Sequence, residues 1–139
     1  MLEVVLDTNV IVSAFRSSLG ASYRLLQTLE RGDWRPVISP TLAFEYEAVL
    51  KRRAGETGPS LQDIDDFIRY ICSRARLVQV YFRWRPVLRD ADDDRILEVA
   101  VRAQSAVVTF NRKDFAGADR FGIKVMAPKE LLTAIGEHQ

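Results

Sequence analysis

Residues 2–6 read LEVVL, an aliphatic and β-branched run without clear polar alternation, and the run stops at Asp7. A strand with one wet face alternates polar and apolar side chains, whereas a strand covered on both faces does not. The segment therefore predicts a central strand of a parallel sheet. RPVISP (35–40), closed by Pro40, and AVVTF (106–110) are runs of the same kind, and IKV (123–125) reads as a last short strand. RLVQVYF (76–82) is a further candidate strand. Parallel strands cannot be joined by tight hairpins, so the intervals between them must cross over, usually as helices.

The intervals carry that periodicity. SYRLLQTLERG (22–32) sets Leu25, Leu26 and Leu29 at helical spacing, with Gly32 placed to end the helix. A second helix is expected from about Thr41, with Ser39 as N-cap, Pro40 in the first turn and an apolar stripe of Leu42, Tyr46, Val49 and Leu50. GETGPS (55–60) is a loop. Ser60 and Asp63 imitate a capping box before a helix with Leu61, Ile64, Phe67, Ile68 and Ile71 on one face. A Pro86-containing connection leads to the acidic RDADDD (89–94), followed by helices at RILEVAVRAQ (95–104) and PKELLTAI (128–135). Strands alternating with helices predict a three-layer α/β/α domain around a mainly parallel sheet, whose sites form at the carboxyl ends of the strands. With 139 residues, one domain spanning 1–139 is expected.

Asp7 stands at such a strand end. Burying an unpaired carboxylate costs several kcal/mol, so Asp7 needs a partner or a task. Glu45 lies three residues after Leu42 and four before Val49, inside its helix's buried stripe. Asp93 precedes Ile96, Leu97 and Ala100 by three, four and seven residues and so projects from a first helical turn along the core side. TFNRKDF (109–115) offers Thr109, Asn111 and Asp114 at another strand end. Each has an ordinary structural alternative. Asp7 could form a turn, Glu45 could pair with a nearby arginine such as Arg53, Asp90, Asp92 and Asp94 could form a solvated helix start, and Asp114 could sit in a surface turn. Carboxylates that converge without a cation repel and raise one another's pKa. Hard oxygen donors of this kind suit Mg²⁺ or Mn²⁺, and the chemistry they serve is metal-assisted attack of water on a phosphodiester.

Four segments in order, VVLDTNVIVSAF (4–15), VISPTLAFEYEAVLKR (37–52), LRDADDDRILEVAVRAQSAVVTFNRKDF (88–115) and GIKVMAPKELL (122–132), resemble PIN-domain proteins. The likeness is to the toxin components of toxin–antitoxin systems, relatives of the VapC ribonucleases. The resemblance implies an acidic cleft that binds Mg²⁺ or Mn²⁺ and cuts single-stranded RNA. It makes Asp7, Glu45 and Asp93 the first three acids of the site. Asp93 is preferred to Asp94 because relatives place the acid seven residues before a small helix residue, here Ala100. Asp90 joins Asp7 and Asp93 as a metal ligand. The fourth position falls on Asn111, where many relatives have aspartate, or on Asp114, which supplies the charge in chains that read T-x-N-x-x-D-F. Thr8, Asn9 and Thr109 are then the groups that orient the acids. The resemblance also implies a homodimer and a small cognate antitoxin.

Lys51, Arg52, Arg85, Arg112 and Lys113 are candidate phosphate contacts, with Arg83 and Arg89 near the acidic turn, though solvated helix ends explain them equally. The formal charge of +1 makes any nucleic-acid footprint local. A single cysteine, Cys72, excludes an intrachain disulfide and a cysteine-rich zinc site. The first residues lack a signal-peptide pattern, and no apolar run reaches the roughly 18 residues of a membrane span. The expected location is cytoplasmic, with no membrane partner. A haloacid-dehalogenase-type phosphotransferase would need an acid at position 9, where the chain has Asn9. Metal-independent ribonuclease chemistry leans on histidine, and the chain has only His138. The remaining rival is a non-catalytic binding or assembly module with an incomplete metal site.

Overall fold

The computed structural model describes residues 1–17, 19–54, 58–80, 88 and 90–136. Its sheet has five parallel strands in the order β3-β2-β1-β4-β5. They are β1 (Leu2–Leu6), β2 (Trp34–Ile38), β3 (Arg76–Leu77), β4 (Ala106–Val108) and β5 (Val125–Met126). Between them lie helices α1 (Thr8–Arg16), α2 (Ala21–Gln27), α3 (Pro40–Arg52), α4 (Leu61–Arg74) and α5 (Ala91–Ala103), and α6 (Pro128–Ala134) follows β5. The chain runs from β1 outward to β2 and β3, then returns past β1 to β4 and β5. Right-handed crossovers place connections that move in opposite directions on opposite faces of the sheet. Accordingly α1 contacts α2 and α3, α3 contacts α4, and α2 contacts α6, while α5 lies against β1, β2 and β4. This is the expected α/β/α layering, and its strand order reverses between β1 and β4.

The buried strands behave as their composition requires. Val4, Val5, Leu6, Val37, Ile38, Val107 and Val108 are all inaccessible to water. The register pairs Val4 with Ala106 and Leu6 with Val108, so β1 and β4 end side by side. Beneath this core a buried chain of hydrogen bonds satisfies the one polar group of Trp34. Its indole Nε1–H donates to Thr28 Oγ1 at 2.9 Å, and the Thr28 hydroxyl donates to the Leu25 carbonyl at 2.7 Å.

Several elements differ from the sequence reading. No element was expected between Asp7 and Phe15, yet Thr8–Arg16 is helical, burying Val10, Ile11, Val12 and Ala14. Its β-branched residues lower intrinsic helix propensity, and tertiary burial outweighs that. The helix expected at 22–32 becomes α2 plus a 3₁₀ turn, Thr28–Arg31, which Gly32 ends at φ 79°. Ser60 and Asp63 do form the capping box, each bond 3.0 Å, but Leu61 points outward. The strand expected over 76–82 is Arg76–Leu77, extended by the Val78 amide bonding the Ile38 carbonyl; 81 and 82 lie outside the described residues. Pro86 and residues 55–57 of the expected loop lie outside them too. α5 begins at Ala91 instead of 95, because Asp90 caps it, and it ends at Gln104 in the left-handed region. β4 stops at Val108, leaving Phe110 exposed, and the last strand is Val125–Met126.

The Trp34–Thr28–Leu25 chain yields a test of the core. Thr28→Val keeps the side-chain shape and strands a buried indole N–H, so it is expected to lower unfolding free energy by about 1–3 kcal/mol. Urea denaturation measures this, and an unchanged midpoint would show that the hydroxyl contributes nothing.

Candidate active site

Asp7 occupies the strand-order reversal. Its amide donates to the Val108 carbonyl at 2.9 Å, so it continues the β1–β4 ladder by one residue before α1 begins. The side chain is only 7% exposed. Its partner is a neutral hydroxyl: Thr109 Oγ1 donates to Asp7 Oδ2 at 2.7 Å. The same Thr109 oxygen accepts the Asn111 amide at 3.0 Å, which fixes the turn after β4. Burial pushes the Asp7 pKa up, and the Thr109 hydroxyl and the nearby Thr8 and Asn9 amides pull it part of the way back. Of the orienting groups expected from sequence, Thr109 bonds the acid directly, while the buried Asn9 side-chain oxygen meets no hydrogen-bond partner among the described residues.

The acidic helix start divides its carboxylates among different tasks. Asp90 is the N-cap of α5, accepting the Asp92 amide at 2.8 Å. Asp94 is buried and accepts the Leu88 amide at 2.9 Å. Asp93 instead lines an open cleft of about 380 Å³ with Asp90, Ala91 and Asp114. Partial burial pushes the Asp93 pKa up to about 7, reinforced by the charges of Asp7, Asp90, Asp114 and Asp92. Among the described residues no Lys or Arg forms an ion pair with Asp7, Asp93 or Asp114.

Glu45 stands apart from this group. Ser39 Oγ caps α3 by accepting the Leu42 amide at 3.1 Å, as its sequence predicts, and sets the helix over the end of β2. Tyr46, fully buried, donates its phenol to the Leu6 carbonyl and so ties α3 to the end of β1. Glu45 then receives the Thr8 hydroxyl on Oε2 at 2.9 Å and Arg95 Nη1 on Oε1 at 3.3 Å. Burial raises its pKa, with the Thr8 hydroxyl and Arg95 opposing and Asp92 adding to the rise. Glu45 therefore joins the site through Thr8, the residue after Asp7, and its ion pair is with Arg95, where the sequence had put Arg53 forward. Arg95 and Tyr46 escaped the sequence reading as site residues. The signal for Arg95 was a cation directly after DADDD, three residues from Asp92.

The remaining candidates separate. Asp114 reaches the cleft from a 3₁₀ turn, Arg112–Phe115, whereas exposed Asn111 contributes its backbone amide to Thr109. Lys51 is engaged by Glu47 at 3.5 Å and Asp65 at 3.2 Å, and Arg112 by Glu130 at 3.0 Å. Arg52 and Lys113 are exposed. Arg85, with Arg83 and Arg89, lies outside the described residues.

The donor set is all carboxylate and hydroxyl oxygen. Among the described residues no three Asp, Glu, His or Cys side chains close into a ready-made ion cage. Hard oxygen donors of this kind suit a hydrated Mg²⁺, which takes only one or two protein carboxylates and keeps its waters.

A domain of a functionally unknown protein from Methanocaldococcus jannaschii is similar over 90% of this chain and 89% of its own, with 18% identity and a TM-score of 0.48. The crystal structure of VapBC2 from Rickettsia felis bound to a DNA fragment from their promoter is similar over 91% of this chain and 98% of that one. Its identity is 14% and its TM-score 0.60, and it shares the fold. No curated protein matches the sequence. The PIN domain family model matches residues 3–113, which contain β1 through β4 and every acid of the cleft except Asp114. With that match across most of its length, the chain belongs to the PIN domain family.

Proposed function

We propose that this PIN domain is a Mg²⁺- or Mn²⁺-dependent endoribonuclease that hydrolyses single-stranded RNA, and that it is the toxin of a toxin–antitoxin pair. The observation that carries the nuclease reading is the cleft in which Asp93, Asp90 and Asp114 gather near Asp7 with no cationic partner among the described residues. Among the described residues Asp93 and Asp114 accept no side-chain hydrogen bond or ion pair, whereas a structural role would have paired them, as Asp94 is paired with the Leu88 amide. PIN domains are generally nucleases, and the Rickettsia felis relative is a toxin–antitoxin assembly. By likeness to it, a small antitoxin partner is part of the proposal; the homodimer, the single domain and the cytoplasmic location expected from the sequence are proposed with it. Among the described residues no helix is long and apolar enough to cross a membrane.

In this reading Asp7 and Asp93 hold the ion, with Asp90, Asn111 and Asp114 completing its surroundings. A divalent ion bound there supplies a water of low pKa and neutralises charge on the phosphodiester. Thr109 holds Asp7 Oδ2 and thereby fixes the carboxylate's orientation. Glu45, held by Thr8, serves to position the attacking water. Water attacks the phosphorus and the P–O3′ bond breaks, leaving a 5′-phosphate on one product and a 3′-hydroxyl on the other.

Three outcomes are expected. Purified protein cuts single-stranded RNA with Mn²⁺ or Mg²⁺ and stops with EDTA, and Asp93→Asn lowers the rate on the order of 10²–10³-fold. Electrophoresis and end analysis measure this; 2′,3′-cyclic phosphate ends would overturn the mechanism, and no cleavage together with no Mn²⁺ binding would favour the non-catalytic module.

The second outcome is thermal. The Asp93 pKa is about 7 in the folded protein against about 3.9 unfolded, so the folded state holds its proton more tightly. The resulting stability is complete below about pH 4 and is lost as pH rises through 7. Asp93 is partly exposed, and after solvent screening the loss is on the order of 1 kcal/mol; the Asp7 shift has the same sign. Metal-free wild type should therefore melt lower at pH 7.5 than at pH 5. Asp93→Asn should flatten that slope and remove most of the stabilisation that Mn²⁺ gives the wild type. An equal Mn²⁺ shift in both proteins would make Asp93 a helix-start carboxylate only.

The third concerns assembly: light scattering should report a dimer, and a strictly monomeric protein would remove that part of the proposal.

A further inference from the structure

Arg95 stands between the two halves of the acid set, on the second turn of α5. One nitrogen, Nη1, makes both of its ion pairs, to Glu45 Oε1 at 3.3 Å and to Asp92 Oδ1 at 3.4 Å. Both contacts are long for charge-assisted bonds, which are usually 2.7–2.9 Å. The Arg95 side chain is 52% exposed, while Glu45 is 12% exposed. The guanidinium half of the pair is exposed, so these long contacts contribute little and break cheaply. Among the described residues no acceptor meets Nε or Nη2, the edge with which a guanidinium grips a phosphate through two parallel bonds. Glu45, by contrast, has both oxygens occupied, one by Thr8 and one by Arg95.

This arrangement answers a difficulty in the proposed function, on which the inference rests. A cleft of unpaired carboxylates repels a polyanion. Of the cations named from sequence, Lys51 and Arg112 are already held by Glu47, Asp65 and Glu130. We infer that Arg95 is a substrate-positioning residue: at rest it occupies Glu45, and when RNA binds it transfers to a backbone phosphate beside the cleft, freeing Glu45 Oε1. The same guanidinium thus opposes a metal ion in the neighbouring cleft by its charge and attracts RNA. Its removal must move the two affinities in opposite directions, and a charge-preserving lysine must recover the salt dependence without the full RNA affinity.

The test compares wild type, Arg95→Gln and Arg95→Lys. Mn²⁺ binding is followed by calorimetry without RNA, and binding of a fluorescent single-stranded RNA by anisotropy in EDTA, where no cleavage occurs. Arg95→Gln is expected to bind Mn²⁺ at least about twofold more tightly, because a nearby positive charge is gone. It should bind RNA about tenfold more weakly. The slope of log affinity against log salt should fall by about 0.7, the contribution of one phosphate contact on a single strand. Arg95→Lys should restore the slope but only part of the affinity, since an ammonium keeps the charge and loses the paired donors. Unchanged RNA affinity, or weakening of both ligands together with a lower melting temperature, would overturn the assignment. Wild type that binds neither Mn²⁺ nor RNA would overturn the proposed function and this inference with it. Wild type that binds both while Arg95→Gln matches it would overturn only the inference.

Discussion

The hydrogen bond from the Thr109 hydroxyl to the Asp7 carboxylate, 2.7 Å across the ends of β1 and β4, is the contact on which the site depends. It joins residues 102 positions apart, and it can form only when the parallel register brings Leu6 beside Val108. A hydroxyl satisfies one lone pair of a buried carboxylate without cancelling its charge. Had an arginine filled that place, Asp7 would be stable and inert. The neutral partner instead leaves a charge in a place that burial penalises, which is the condition under which a carboxylate gains most from a cation.

Helix α5 extends the same principle. Its N-terminal turn concentrates Asp90, Asp92, Asp93 and Asp94, where the helix dipole and free amides lower the cost of negative charge. The fold then spends three of them on separate contacts, with backbone amides for Asp90 and Asp94 and with Arg95 for Asp92. Asp93 has no such contact among the described residues, and partial burial with the surrounding acids pushes its pKa up to about 7. Four neighbouring aspartates thus differ in chemistry because of where the helix begins. A shift of one residue in the cap would reassign them all.

On the opposite side, α3 is held by its Ser39 cap and by the Tyr46 phenol on the Leu6 carbonyl, one residue before Asp7. Glu45 is therefore anchored to the same strand end as Asp7, yet it sits in a bonded pair with Thr8 and Arg95. The site combines an unpaired half at α5 and β4 with a paired half at α3 and α1.

Much of this was legible from local pattern. Unalternating apolar runs mark strands buried on both faces, caps such as Ser39 and Ser60 act within three residues, and a strand-ending acid points to the carboxyl edge of a parallel sheet. The positions of Asp7, Glu45, Asp93 and Asp114 on elements that reach one edge followed from those signals. What periodicity could not supply was any relation between elements. The helical state of Thr8–Arg16 was hidden because its β-branched residues favour strands locally and only burial against α2 and α3 overrides them. The Arg95 pairing with Glu45, 50 positions away, and the use of Asp94 for the Leu88 amide depend on how α5 is set against the sheet. The sequence by itself determined the buried strands, the capped helices and which acids stand at their ends, because those are short-range properties of backbone and side-chain spacing. Only the tertiary structure decided which acids are paired and which are left charged, because pairing is a matter of distances that the parallel register and helix docking set.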